Sequence, residues 1–88
     1  MLKESRIKID QLDKTTLQLL VRRLKICKRI GEYKKKHHLP IQNRKREKQI
    51  IKERVEQFKY LGLDDEKFIK ELFELIMRKS RRIQQEQK

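Results

Sequence analysis

The chain has 88 residues and a formal net charge of +13, with 44% of its residues charged and 35% hydrophobic. This length allows one domain with a modest core, which we expect to cover residues 1–88. With two glycines and one proline, the composition favours long amphipathic helices over a β-sheet. Disorder is excluded except at the chain ends, because apolar residues recur at helical spacing in every segment.

The sequence predicts three helices. The first covers about residues 3–36 and ends before Pro40, which cannot continue a helix. The second covers about residues 43–60 and begins at Asn43, a residue type that caps helix N-termini well. The third covers about residues 64–85 and begins with acidic residues, which suit the positive end of a helix. The predicted fold class is therefore all-α.

The first helix is too long for a small monomeric domain. Roughly 30 helical residues span about 45 Å, and the two shorter helices cannot cover an apolar face of that length. An exposed stripe of isoleucine and leucine would cause association with another chain. We therefore expect a homodimer in which the long helices of two chains pack antiparallel.

Two rows of mainly apolar side chains run along the first helix, and each contains a cation. One row consists of Ile9, Leu12, Thr16, Leu19, Arg23, Ile26, Ile30 and Tyr33. The other consists of Asp13, Leu17, Leu20, Leu24, Cys27, Gly31 and Lys34. Arg23 and Lys34 are three helical turns apart and therefore lie on nearly the same side. They can line one cavity.

The other two helices also place polar groups on their apolar sides. Arg46 and Glu47 precede the apolar stripe of the second helix by one turn, and Ser80 and Gln84 continue the stripe of the third. Burying several cations is unfavourable unless an anion meets them. The pattern therefore indicates a small, multiply anionic ligand. A serine–histidine dyad, a metal-ligand cluster and a phosphate-binding glycine loop are all missing, which argues against hydrolysis, metal chemistry and nucleotide use.

The net charge leaves nucleic-acid binding open as an alternative. The basic runs at residues 34–36 and 44–46 would suit a phosphate backbone, although no zinc-ligand spacing, RNA-binding aromatic motif or helix-turn-helix accompanies them. No signal peptide or membrane-spanning run is evident. The lone Cys27 is predicted to be a reduced, buried thiol, which is typical of a cytosolic protein.

The order and spacing of these motifs closely resemble the all-helical chorismate mutases. The matching pattern is Arg6, Ile9-Asp10, Leu12-Asp13, Leu19-Leu20, Arg22-Arg23, Ile30-Gly31, Lys34, Pro40-Ile41, Asn43, Arg46-Glu47, Leu63-Asp64, Phe73, Leu75-Ile76, Ser80 and Gln84-Gln85. The resemblance implies an intertwined homodimer of three-helix chains with two equivalent active sites. It also implies a cofactor-free Claisen rearrangement of chorismate to prephenate, in the biosynthesis of phenylalanine and tyrosine.

The resemblance assigns roles to the cations and to Gln84. It implies that Arg23, together with Arg6 from the other chain, clamps the two carboxylates of chorismate. It implies that Lys34 donates to the ether oxygen and to a carboxylate, and that Gln84 is the second donor to that oxygen. A rearrangement within one molecule needs orientation and charge stabilisation instead of a cofactor or a metal ion.

The resemblance gives the remaining site residues binding and supporting roles. Glu47 is similar to the acceptor for the ring hydroxyl and completes the catalytic set, while Arg46 and Ser80 support the site wall. Asn43 stands where an acid is frequent in the family, yet it can still bind a hydroxyl and cap a helix. Isochorismate pyruvate-lyase, which has the same fold, is the alternative enzyme. Glu47 favours the mutase, because the lyase pattern lacks an acid at this position.

Overall fold

The computed structural model describes residues 1–86 and consists of three helices. They are α1 (Leu2–Lys36), α2 (Arg44–Tyr60) and α3 (Glu66–Gln85). No strand occurs within the described residues. The predicted all-α class with a long first helix is therefore confirmed.

The third helix holds the chain together, because α3 packs on both α1 and α2. Its buried positions recur at helical spacing and form one continuous side. They are Ile69, Met77, Ser80 and Gln84. Ile69 is completely buried, whereas the end of the same side that holds Ser80 and Gln84 is polar. The core is therefore small, and one end of it carries hydrogen-bonding groups.

Both short helices begin at side-chain caps. The Asn43 side chain accepts a hydrogen bond from the backbone N–H of Arg46 at 3.0 Å, as expected for the start of α2. The Asp65 carboxylate accepts from the backbone N–H of Phe68 at 3.1 Å. The third helix was predicted to begin at about residue 64; Asp65 is the cap, and α3 begins two residues later, at Glu66.

The first two helices end in the same hydrogen-bonded turn. After α1, Leu39 N–H donates to the Lys34 carbonyl at 2.8 Å, and His38 between them has a φ of 55°. After α2, Leu63 N–H donates to the Phe58 carbonyl at 2.8 Å, and Gly62 has a φ of 99°. These are Schellman turns, whose left-handed position favours glycine. His38 therefore occupies a strained conformation.

We expect His38→Gly to stabilise the protein and Gly62→Ala to destabilise it. In His38→Gly, relief of left-handed strain outweighs the added freedom of glycine in the unfolded chain. The free energy of unfolding should therefore rise by about 0.5 kcal/mol. A methyl group at Gly62 would meet no atom within 4 Å, so the expected loss of about 1 kcal/mol is purely conformational. Urea denaturation measures the free energy of unfolding of both variants. A destabilising His38→Gly change would contradict this account of the turn.

The two rows of α1 have different environments. The row containing Leu20, Leu24, Cys27, Gly31 and Lys34 is buried or half-buried where α1 packs on α3. In the other row, Ile9, Leu12, Leu19, Ile26, Ile30 and Tyr33 are all exposed. The molecule is 54 Å long and 16 Å across its narrowest direction, so α1 extends well beyond the small core. Within residues 1–86, each helix is too short or too polar to span a lipid bilayer.

Candidate active site

A cavity of about 300 Å³ lies where the polar end of α3 meets α1, α2 and the loop between them. This volume is at the lower end of the range for small-molecule sites. Its lining is Arg23, Ile26, Cys27, Ile30, Lys34, Ile41, Asn43, Arg46, Glu47, Ile50, Met77, Ser80, Arg81 and Gln84. Every predicted site residue except Arg6 is therefore brought to one place. Arg6 lies far along the exposed N-terminal part of α1.

Arg23 is held in the cavity wall by α3. Its Nη1 donates to Ser80 Oγ at 3.1 Å and lies 4.0 Å from Cys27 Sγ. The Ser80 hydroxyl is buried and donates in turn to the Ile76 carbonyl at 2.9 Å. Because a guanidinium has five N–H donors, these contacts orient Arg23 and leave donors for a ligand. Cys27 is a buried free thiol, as predicted.

Lys34 is oriented by the loop after α1. Its Nζ donates to the Ile41 carbonyl at 2.7 Å. This bond uses one of the three donors of the ammonium group and fixes the charged end of a long, otherwise flexible side chain. The other two donors remain for an anionic ligand in the cavity.

Gln84 lies at a close approach of α3 to Gly31 of α1. A Cβ atom at Gly31 would be 2.7 Å from Gln84 Cα, a separation that backbone atoms do not tolerate, so glycine is required for this approach. Gln84 Oε1 is buried and has no hydrogen-bond partner within residues 1–86. A buried amide with an unsatisfied oxygen is unfavourable in an isolated chain. Such a group is well suited to contact a ligand.

Glu47 is bound by Arg81, which was not among the predicted site residues. Arg81 Nη1 lies 2.8 Å from Glu47 Oε1 and 2.6 Å from Oε2, and Gln42 Nε2 lies 3.4 Å from Oε1. Arg81 follows Met77 by four residues and precedes Gln84 by three. This helical spacing could have predicted that Arg81 lies on the same side of α3 as these two residues.

Asn43 and Arg46 form the exposed edge of the cavity. Both residues are exposed, and Asn43 uses its side-chain oxygen to cap α2. Arg46 nevertheless lines the same cavity as Ile50, which follows it by one turn on the apolar side of α2. Arg46 is exposed because it lies in the first turn of α2, near the open end of the cavity.

The lining combines four cations, one carboxylate and an apolar wall. The cations are Arg23, Lys34, Arg46 and Arg81, and the carboxylate is Glu47. The apolar wall includes Ile26, Ile30, Ile41, Ile50 and Met77. A cavity with excess positive charge beside an apolar wall suits a compact ligand that carries carboxylates on a hydrocarbon frame. Residues 1–86 contain no group of three or more His, Cys, Asp or Glu side chains arranged to hold a metal ion.

Comparison with known proteins identifies the family. The sequence model of the chorismate mutase type II family matches residues 5–85. The chain belongs to the chorismate mutase type II family. This match confirms the family inferred from the ordered motifs, and it includes the residues of all three helices that line the cavity.

A curated relative, which is a longer protein, matches part of this chain. The bifunctional chorismate mutase/prephenate dehydratase of Aquifex aeolicus (strain VF5) is 50% identical over 50 residues, which are 57% of this chain and 14% of the relative. The present chain therefore corresponds to a small part of that protein. No solved structure matches the chain significantly.

Proposed function

We propose that this chain converts chorismate to prephenate, a step in the biosynthesis of phenylalanine and tyrosine. The observation that carries this proposal is the convergence of Arg23, Lys34 and Gln84 on one cavity, in a chain of the chorismate mutase type II family. Chorismate is a compact dianion with an apolar ring, which suits the charge and the apolar wall of the cavity. We also propose a cytosolic location, supported by the free thiol of Cys27.

The chemistry requires confinement more than reactive groups. In the rearrangement, the ether carbon–oxygen bond breaks while a carbon–carbon bond forms within the same molecule. No nucleophile, cofactor or metal ion takes part. Arg23, oriented by Ser80, binds one carboxylate through its planar fork of donors. Holding both ends of the flexible enolpyruvyl arm over the ring supplies a large part of the rate enhancement.

Lys34 and Gln84 act on the ether oxygen, where negative charge grows as the bond breaks. Two donors of Lys34 remain beside its bond to the Ile41 carbonyl. The Gln84 amide oxygen has no partner among the described residues, so no hydrogen bond to this oxygen opposes the orientation in which the NH₂ group donates to the ether oxygen. Donors that are already oriented stabilise the transition state without reorganisation. Glu47 accepts from the ring hydroxyl and so aligns the ring.

We propose that the active form is a homodimer in which Arg6 of the partner completes each site. The exposed row of α1 offers an apolar surface for a second copy. Arg6 and Arg23 are separated by 17 residues of one continuous helix, which is about 25 Å. A straight helix cannot bring both residues to one cavity, so an antiparallel partner helix is the simplest source of Arg6. Light scattering at micromolar concentration should report twice the chain mass of 11.0 kDa.

Complementation tests the shared site. Arg6→Ala and Arg23→Ala chains are each expected to be inactive, but an equal mixture should recover about one quarter of wild-type activity. Half of the dimers are then mixed, and each mixed dimer has one intact site of two. The matched control is a mixture of Arg23→Ala and Lys34→Ala, whose lesions lie in the same chain's site and should show no recovery. Absence of recovery in the first mixture, with subunit exchange demonstrated, would contradict the model.

Two other functions are distinguished by one set of assays. Isochorismate pyruvate-lyase would need the same cations. However, Glu47 is firmly held at the cavity, and an acceptor for the substrate hydroxyl at this position favours the mutase. Nucleic-acid binding is disfavoured because Arg23 and Lys34 are half-buried in the cavity instead of lying on an open surface.

The purified chain is tested with chorismate and isochorismate in separate absorbance assays, and with duplex DNA at increasing salt. We expect loss of chorismate and formation of prephenate. Salicylate formed from isochorismate would instead identify the lyase. Salt-sensitive DNA binding without either activity would overturn the enzymatic proposal.

A further inference from the structure

We infer that Arg81 is a positioning residue for Glu47, which it keeps directed at the ring hydroxyl of the substrate and away from the substrate-binding cations. This inference rests on the proposed function. Arg81 touches both carboxylate oxygens through one nitrogen, at 2.8 and 2.6 Å. The pair joins α2 to α3, and the Arg81 and Glu47 side chains are 26% and 19% exposed. Partial burial makes such a pair more rigid than a surface ion pair.

The bound carboxylate retains acceptor capacity for a ligand. A carboxylate has about four lone-pair positions. Arg81 uses one on each oxygen, and the Gln42 amide at 3.4 Å from Oε1 occupies a third. One position on Oε2 remains. Because Glu47 lines the cavity, a substrate hydroxyl can use it while the Arg81 bond stays intact.

Arg81 also prevents Glu47 from neutralising other residues of the site. Lys34 and Arg46 line the same cavity, and an unrestrained glutamate would turn toward them. Such a contact would occupy donors that the substrate carboxylates need. Arg81 therefore has two effects: it orients the acceptor, and it leaves the cationic donors available.

The inference predicts a loss in substrate affinity. Arg81→Met keeps the apolar part of the side chain and removes the charge. We expect KM for chorismate to rise about ten- to hundredfold, which is the usual effect of losing a hydrogen bond to a charged group, while kcat changes by less than about threefold. A purely structural role would instead reduce the amount of folded enzyme, and therefore the apparent kcat, without changing KM. Arg82→Met is the matched control, because Arg82 is adjacent, exposed and absent from the cavity lining.

A double-mutant cycle with Glu47→Gln decides whether Arg81 acts through Glu47. If it does, adding Arg81→Met to Glu47→Gln changes KM by less than about twofold. If Arg81 binds the substrate directly, the same addition raises KM by the full factor seen in the wild-type background, and the inference is overturned. Arg81→Lys keeps the charge without the planar group, and its KM is expected between those of the wild type and Arg81→Met. Arg81→Lys replaces Arg81→Met in the double-mutant cycle if circular dichroism shows that Arg81→Met does not fold.

Failure of this inference is distinguishable from failure of the proposed function. A wild-type chain without mutase activity would refute the proposed function. An active wild type whose KM is unchanged by Arg81→Met would refute the role of Arg81 alone.

Discussion

Lys34→Ala is expected to lower kcat/KM for chorismate by about a thousandfold. Lys34 lines the cavity. Its Nζ is also held by the loop after α1, through a hydrogen bond of 2.7 Å to the Ile41 carbonyl. We propose that it stabilises the negative charge on the ether oxygen. Removal of one oriented donor to a developing charge costs about a hundred- to a thousandfold in rate, and loss of a carboxylate contact adds to this. Steady-state kinetics with chorismate measures the effect.

Lys35→Ala is the matched control for this change. Lys35 is the next residue of α1, is exposed and does not line the cavity. The two variants lose the same charge, so a general effect of net charge on the approach of an anion would lower both activities equally. Circular dichroism checks that α1 and the following loop remain folded. Equal activity of the two variants would remove Lys34 from the mechanism.

Gln84→Glu is expected to produce an enzyme that is poor at neutral pH and improves in acid. The amide can donate to the ether oxygen at any ordinary pH, whereas an ionised carboxylate only accepts and repels the developing charge. Protonation restores a donor. Above the pKa of the introduced carboxyl, its protonated fraction rises about tenfold for each unit that the pH falls, and kcat/KM should follow. Burial at this position raises that pKa, and Lys34 across the cavity opposes the rise.

The control for Gln84→Glu is Gln85→Glu, the same substitution at the next residue, which is exposed. This variant should keep wild-type activity and show no rise in acid. Rates are measured from neutral pH to about pH 5, within the range where each protein remains folded. If Gln84→Glu has full activity at neutral pH and no rise in acid, Gln84 does not donate to the reacting oxygen.

The sequence was sufficient for the helices and for the polar residues of the cavity lining other than Arg81. Helical spacing identified the buried side of α3 through Ser80 and Gln84, and it placed Arg23 and Lys34 on nearly one side of α1. Both cations line the cavity. Spacing succeeded here because each helix is long and strongly periodic. It did not identify the residue that caps α3, because Asp64 and Asp65 are equally good caps and the chain uses the second.

The features that the sequence did not predict depend on contacts between distant residues. Periodicity marks both rows of α1 as apolar, but only the packing of α3 shows which row belongs to the core of one chain. Arg81 is one of 26 lysines and arginines, so its charge carried no information. Its role depends on Glu47, which lies 34 positions away in sequence. The position of Arg6 depends on a second chain and stays a prediction.

The most direct test of the central claim is a proton NMR time course of chorismate with the purified wild-type chain. We expect the chorismate resonances to be replaced by those of prephenate in equal amount, far faster than in buffer, with no pyruvate released. The Arg23→Ala chain serves as the blank, because it lacks a carboxylate contact that we assign to the cavity. Chorismate that decays at the same rate with and without the protein, or that releases pyruvate, would contradict the claim that this cavity confines chorismate for rearrangement.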